Sequence, residues 1–148
     1  MKITMIAAAS TVAAAAAICL AATAHADPAV NLPVNDTVRA ELVTAGAVLT
    51  GVPASEFTGL RPGKTYYAYD PNTRTYWAAA ALQASPTSFR AGVNLQDQNS
   101  YMIFKEPLAG TWIPYADGYG GAPGQVCPLP PAILDLWQWP PGACGPGF

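Results

Sequence analysis

Thr65-Tyr66-Tyr67-Ala68-Tyr69-Asp70-Pro71-Asn72-Thr73-Arg74-Thr75-Tyr76-Trp77-Ala78-Ala79-Ala80-Ala81-Leu82 is the stretch whose reading decides the fold. Residues 65–69 are aromatic and strand-like, because β-strands favour large flat side chains on a pleated surface. Asp70-Pro71-Asn72-Thr73 is a turn, with Pro71 at the position that sets the first φ angle. Residues 74–82 return as a second strand, so the whole reads as a β-hairpin.

Downstream, Ser85-Pro86-Thr87 breaks the chain. Residues 89–96 alternate, with Phe89, Ala91, Val93 and Leu95 on one side and Arg90, Gly92, Asn94 and Gln96 on the other. That period predicts a third, half-buried strand. Asp97-Gln98-Asn99 leads into a strand over 100–105, and a turn from Pro107 to Gly110 into another over 112–116. Short connections favour an up-and-down meander of about five strands.

Upstream, Asp36 reads as the N-cap of a helix over 37–49. Val38, Leu42, Ala45 and Leu49 recur at helical spacing, and Gly51 and Pro53 end the helix. Gly59-Leu60-Arg61-Pro62-Gly63-Lys64-Thr65 imitates a phosphate loop but is one residue short and enters a strand, so it reads as a turn. The fold class expected is α+β: one N-terminal helix packed on an antiparallel meander (65–117), with a Gly/Pro-rich C-terminal tail (118–148). Pro130-Pro131 can open a short helix through Trp137.

The chain begins Met1-Lys2, runs uncharged from Ile3 to Ala24, and reaches Ala24-His25-Ala26 before Asp27-Pro28. A basic start, an apolar run and a small-x-small site form a secretory signal peptide over 1–26, which leaves 27–148 as a single secreted domain. An uncleaved anchor is disfavoured by the alanine content of the run, a lipoprotein by Ile18 before Cys19, and a twin-arginine route by the lack of Arg. No stable transmembrane segment is expected after cleavage.

Cleavage would remove Lys2, Cys19 and His25, the only histidine. The net charge of −2 would become one unit more negative. The remaining bases (Arg39, Arg61, Lys64, Arg74, Arg90, Lys105) are scattered, which argues against nucleic acid and anionic lipid as partners. Cys127 and Cys144 read as a disulfide in an exported chain.

Several strings here occur together: Tyr66-Tyr67-Ala68-Tyr69-Asp70-Pro71, Arg74-Thr75-Tyr76-Trp77-Ala78, Gln96-Asp97, and the tail from Cys127 through Trp137 to Cys144. They resemble a group of small exported proteins of mycobacteria and related actinobacteria. The resemblance implies export and a shared small fold, and it brings no catalytic residues.

Without histidine or a free cysteine, Ser-His-Asp and Cys-His catalysis and His- or Cys-built zinc sites fall away. No S-x-x-K motif or calcium loop occurs, and no cofactor is expected. Asn35-Asp36-Thr37 fits a glycosylation sequon, but capping explains Asp36 better. Carboxylate chemistry survives, with Asp97, Glu106 and Asp117 at turns and strand ends as candidates for a cell-wall glycan hydrolase. The favoured expectation is a non-enzymatic binding module of the cell envelope or extracellular space, whose partner is an envelope glycan or protein. Its contacts would come from exposed strand aromatics, with Tyr67, Tyr69, Trp77 and Trp112 as the binding candidates. An inhibitor of a secreted enzyme is a third reading, on fold analogy.

Overall fold

The computed structural model describes residues 26–97, 101–117, 127–142 and 144–145. Apart from Ala26, the expected leader lies outside the described residues, as does the start of the tail. The elements are β1 (Val30–Asn31), α1 (Asp36–Thr50), a 3₁₀ turn (Ala54–Glu56), β2 (Phe57–Asp70), β3 (Thr75–Ala84), α2 (Phe89–Asp97), β4 (Met102–Pro107), β5 (Ile113–Asp117) and α3 (Pro131–Trp137). The strands form one antiparallel sheet in the order β1-β2-β3-β4-β5. The α+β meander expected from the sequence is therefore present.

α1 starts one residue earlier than the capping argument placed it. Asn35, not Asp36, is the N-cap: its Oδ1 accepts the Val38 N–H at 2.9 Å. Asp36 instead sits in the first turn, where a negative charge complements the helix dipole. Gly51 closes the helix at φ 66°, a left-handed conformation that favours glycine. Val38, Leu42 and Ala45 face the sheet, and burying Leu42 completely contributes about 1.5–3 kcal/mol. Gly46 marks the closest approach: a Cβ there would stand 3.0 Å from Leu82 Cδ1 and 3.1 Å from Met102 Sδ.

The strand expected over 89–96 is instead the helix α2. Ser88 decides this locally, since its Oγ accepts the Ala91 N–H at 3.0 Å, an N-cap bond. Its own hydroxyl proton goes to Glu56, which also pairs with Arg90. The alternation was a coincidence of two periods. Ala91 is fully buried and Leu95 packs on the core, an i, i+4 pair, whereas Phe89 is 86 % exposed. A strand would have placed Phe89 beside Ala91 on the core face.

The fifth strand comes from the segment before α1, where Val30 pairs with Tyr69 and Asn31 with Ala68. The imitation phosphate loop is a bulge inside β2. Leu60 pairs with Leu82 and Thr65 with Ala80, so Arg61 through Lys64 stand opposite Ala81 alone. Gly63 takes φ 68° there.

Both faces of the sheet are covered. Ala78, Ala80, Leu82, Met102, Phe104 and Trp112 pack under α1. On the reverse face, Ala68, Trp77, Ala79 and Ile103 pack under Ile133, Leu134, Trp137 and Trp139 of α3 and its flanks. The alanines of the central strand β3 are buried on both sides, and their short side chains leave room for a layer on each. The Cys127–Cys144 disulfide is formed and belongs to this second layer. Trp137 Nε1 donates to Asn31 Oδ1 at 3.0 Å, which ties α3 to β1. Among the described residues no helix is long and apolar enough to cross a membrane.

Candidate binding surface

The hairpin turn positions the site. Asp70 is 3 % exposed, and its carboxylate accepts from Asn72 N–H (3.0 Å), Asn72 Nδ2 (3.2 Å) and Thr73 Oγ1 (2.7 Å). With the turn held, the register places Asp70 opposite Thr75 and Tyr69 opposite Tyr76. Tyr76 in turn stands opposite Glu106. One cross-strand row on the α1 face therefore reads Tyr69, Tyr76, Glu106. The adjacent row holds Tyr67, Ala78 and Phe104.

The rings form a continuous ladder. Tyr69 and Tyr76 have centroids 4.8 Å apart, Tyr67 and Tyr76 5.9 Å, and Tyr67 and Trp112 5.8 Å. The tyrosines are half-buried, and Trp112 is buried. Trp112 Nε1 donates to Glu41 Oε2 at 3.2 Å, so α1 brings a second carboxylate to the ladder that Glu106 borders.

Electrostatics mark the same place. Burial pushes the Glu106 carboxyl up from its ordinary value, and the charge of Glu41 adds to the push. The Tyr67 phenol is raised by burial, then by Tyr76, Glu106 and Glu41. The field around the ladder is negative. Among the described residues the one ion pair, Arg90 with Glu56, involves neither acid of the ladder.

Of the four aromatics chosen from the sequence, Tyr67, Tyr69 and Trp112 share this ladder, while Trp77 does not. Trp77 stands opposite Ala68 and Lys105 on the reverse face, 5 % exposed, with its ring 6.3 Å from Tyr115. A contiguous patch around Tyr67, Tyr69 and Trp77 is therefore not formed. Tyr76 and Glu41 are the members that sequence reasoning missed. The parity of the second strand carried the signal for Tyr76, since neighbours in a strand face opposite ways. Glu41 had no such signal, because its place depends on how α1 crosses the sheet. Of the acids considered for catalysis, Glu106 lies at the ladder; the side chains of Asp97 and Asp117 are outside the described set.

A recess of about 350 Å³ lies elsewhere, lined by Ser55, Glu56, Ser88, Phe89 and Arg90 among others. Its polar groups bond one another to hold the start of α2, which is a structural role. Among the described residues no cluster of three or more His, Cys, Asp or Glu could hold a metal ion.

No family model, curated protein or solved structure matches the chain. Function is therefore argued from the chemistry of the ladder.

The turn makes a prediction about pH. Burial alone would raise the Asp70 pKa, but the hydrogen bonds from Thr73 and Asn72 outweigh it and hold the carboxyl below the ordinary aspartate value. A depressed folded-state pKa contributes stability above the unfolded value of about 3.9, and that stability is lost as pH falls through the folded value. Asp70→Asn should cost about 2 kcal/mol at neutral pH and flatten the acid limb of the stability curve. Urea unfolding between pH 3 and 7 measures both, and an unchanged acid limb would remove Asp70 from the account.

Proposed function

We propose that the chain is an exported, non-enzymatic binding module that grips a partner in the cell envelope or extracellular space through the Tyr69–Tyr76–Tyr67–Trp112 ladder. The observation that carries this reading is the continuity of the rings with Glu41 and Glu106. Half-buried tyrosines keep polar tips beside apolar ring surface, the combination enriched where proteins make contacts. Export is supported by the form of residues 1–26, by the disulfide and by the resemblance to exported actinobacterial proteins.

NMR titration of the labelled domain with solubilised envelope fractions tests it. Shifts should concentrate on Tyr67, Tyr69, Tyr76, Glu106 and Trp112, and Tyr76→Ala should weaken binding about tenfold, as loss of one aromatic contact residue does. Shifts confined to other surfaces, or wild-type binding by Tyr76→Ala, would overturn the reading.

One observation favours a second reading, a carboxylate-dependent glycan hydrolase. The Glu106 carboxyl is raised by burial and then by Glu41, as the general acid of such enzymes is raised. Release of reducing ends from wall glycan, abolished by Glu106→Gln, would establish it. No release by the unaltered protein would end it.

A further inference from the structure

We propose that the occupant of the ladder is an arginine side chain presented by a partner protein. The inference rests on the binding-module reading and names the chemistry the site selects.

Charge is the first reason. Glu41 accepts from Trp112 at one end of the ladder and Glu106 stands opposite Tyr76 at the other, where Glu41 adds to the rise that burial gives the Glu106 carboxyl, yet neither acid takes part in an ion pair among the described residues. The Trp112 N–H is a neutral donor and leaves the charge of Glu41 in place. A phosphate or carboxylate ligand would be repelled, and a neutral sugar would leave two like charges uncompensated while removing water from them. A cation relieves the repulsion.

Among the described residues no lysine or arginine forms a salt bridge with Glu41 or Glu106, and three of the six lie elsewhere. Arg90 pairs with Glu56. Lys64 lies 5.8 Å from the centroid of Tyr101, and Lys105 lies 5.6 Å from that of Trp77. Trp77 and Tyr101 both belong to the reverse face of the sheet.

Ring chemistry makes the choice among cations. Tyr69, Tyr76 and Tyr67 follow one another at 4.8 and 5.9 Å, tilted by 41° and 33°. Cations are drawn to the negative faces of aromatic rings. A guanidinium is flat and weakly hydrated, so it stacks on a ring and still directs a fork of N–H donors at a carboxylate. An ammonium is a compact, strongly hydrated point charge and cannot do both in one plane. The ladder offers ring and carboxylate side by side, with Tyr76 opposite Glu106 in the register. The three tyrosines are half-buried and Glu41 is exposed, so what the ladder leaves accessible suits a single side chain carried on a partner's backbone.

The test titrates the labelled full domain with a Gly-Arg-Gly-Arg-Gly peptide and with its lysine and citrulline counterparts. The arginine peptide should shift Tyr69, Tyr76 and Trp112. The lysine peptide should bind several-fold more weakly, and the uncharged citrulline peptide more than about tenfold more weakly. Binding should weaken with added salt. Glu106→Gln should lose about tenfold in affinity, while Asp135→Asn, which removes an exposed acid from α3, should not. Equal binding of the citrulline peptide, or equal losses in the two acid variants, would overturn the arginine assignment. If envelope fractions move the ladder resonances and the arginine peptide does not, the binding-module reading stands and this inference falls. If neither moves them, both fall.

Discussion

Replacing Cys127 and Cys144 together by alanine is expected to lower the stability of the domain by about 3 kcal/mol and to loosen α3 from the sheet before the rest unfolds. The cysteines are separated by 17 residues and lie in the core of the second layer. α3 has only 7 residues, too few to be a stable helix by itself. Its attachment comes from Ile133, Leu134, Trp137 and Trp139, whose burial contributes about 1.5–3 kcal/mol each. Ordering the backbone costs about 1–2 kcal/mol per residue, over the helix and the irregular chain on either side. Burial of these four side chains does not by itself offset that cost, so the constraint the disulfide places on the unfolded chain matters to the balance. Urea unfolding followed by tryptophan fluorescence should show an earlier midpoint, and Trp137 and Trp139 should become solvated first. An unaltered midpoint would mean that apolar packing alone retains the tail.

Truncating Phe104 to alanine is expected to cost about 3–5 kcal/mol, a large part of the 5–15 kcal/mol typical of a whole domain. Phe104 is 0 % exposed and, among the described residues, heads the fully buried side chains by size. It pairs with Ala78 on one side and Pro114 on the other, beneath α1. Neither neighbour is long enough to fill the space that the ring vacates, so the cavity term adds to the lost transfer energy. Phe104→Leu should cost less than half as much, since most of the volume is kept. Denaturant unfolding of both variants checks the ranking. Equal costs would show that the site collapses around any smaller residue.

Much of the fold was legible because its signals are local. Asp70-Pro71-Asn72-Thr73 carries turn chemistry, and the structure shows Asp70 bonded to its own turn. The helix was read from Val38, Leu42, Ala45 and Leu49; the first three are buried while Leu49 near its end is exposed, and the cap was displaced by one residue because Asn35 and Asp36 are both good caps. α2 was misread because Phe89, Ala91, Val93 and Leu95 satisfy a strand's period as well as Ala91 and Leu95 satisfy a helix's. The hydroxyl of Ser88, whose bond to Ala91 opens that helix, was the sign to weigh.

The candidate site was legible in part. Tyr67, Tyr69 and Trp112 were chosen as aromatics on strands, which does not say which of them meet. Trp77 was grouped with them although it follows Tyr76 directly, and the structure puts the two on opposite faces.

The order of residues was enough to determine the α+β class, the hairpin, the α1 segment and the pairing of Cys127 with Cys144, because each rests on chemistry within a few residues or on a single covalent partner. Only the tertiary structure decided that the tail closes the second face of the sheet, that α2 is a helix, and that Glu41 accepts from Trp112 at the ladder that Glu106 borders. Those outcomes depend on which apolar surfaces remain uncovered once distant segments have packed. Burial is a property of the assembled layers, and no short window of sequence contains it.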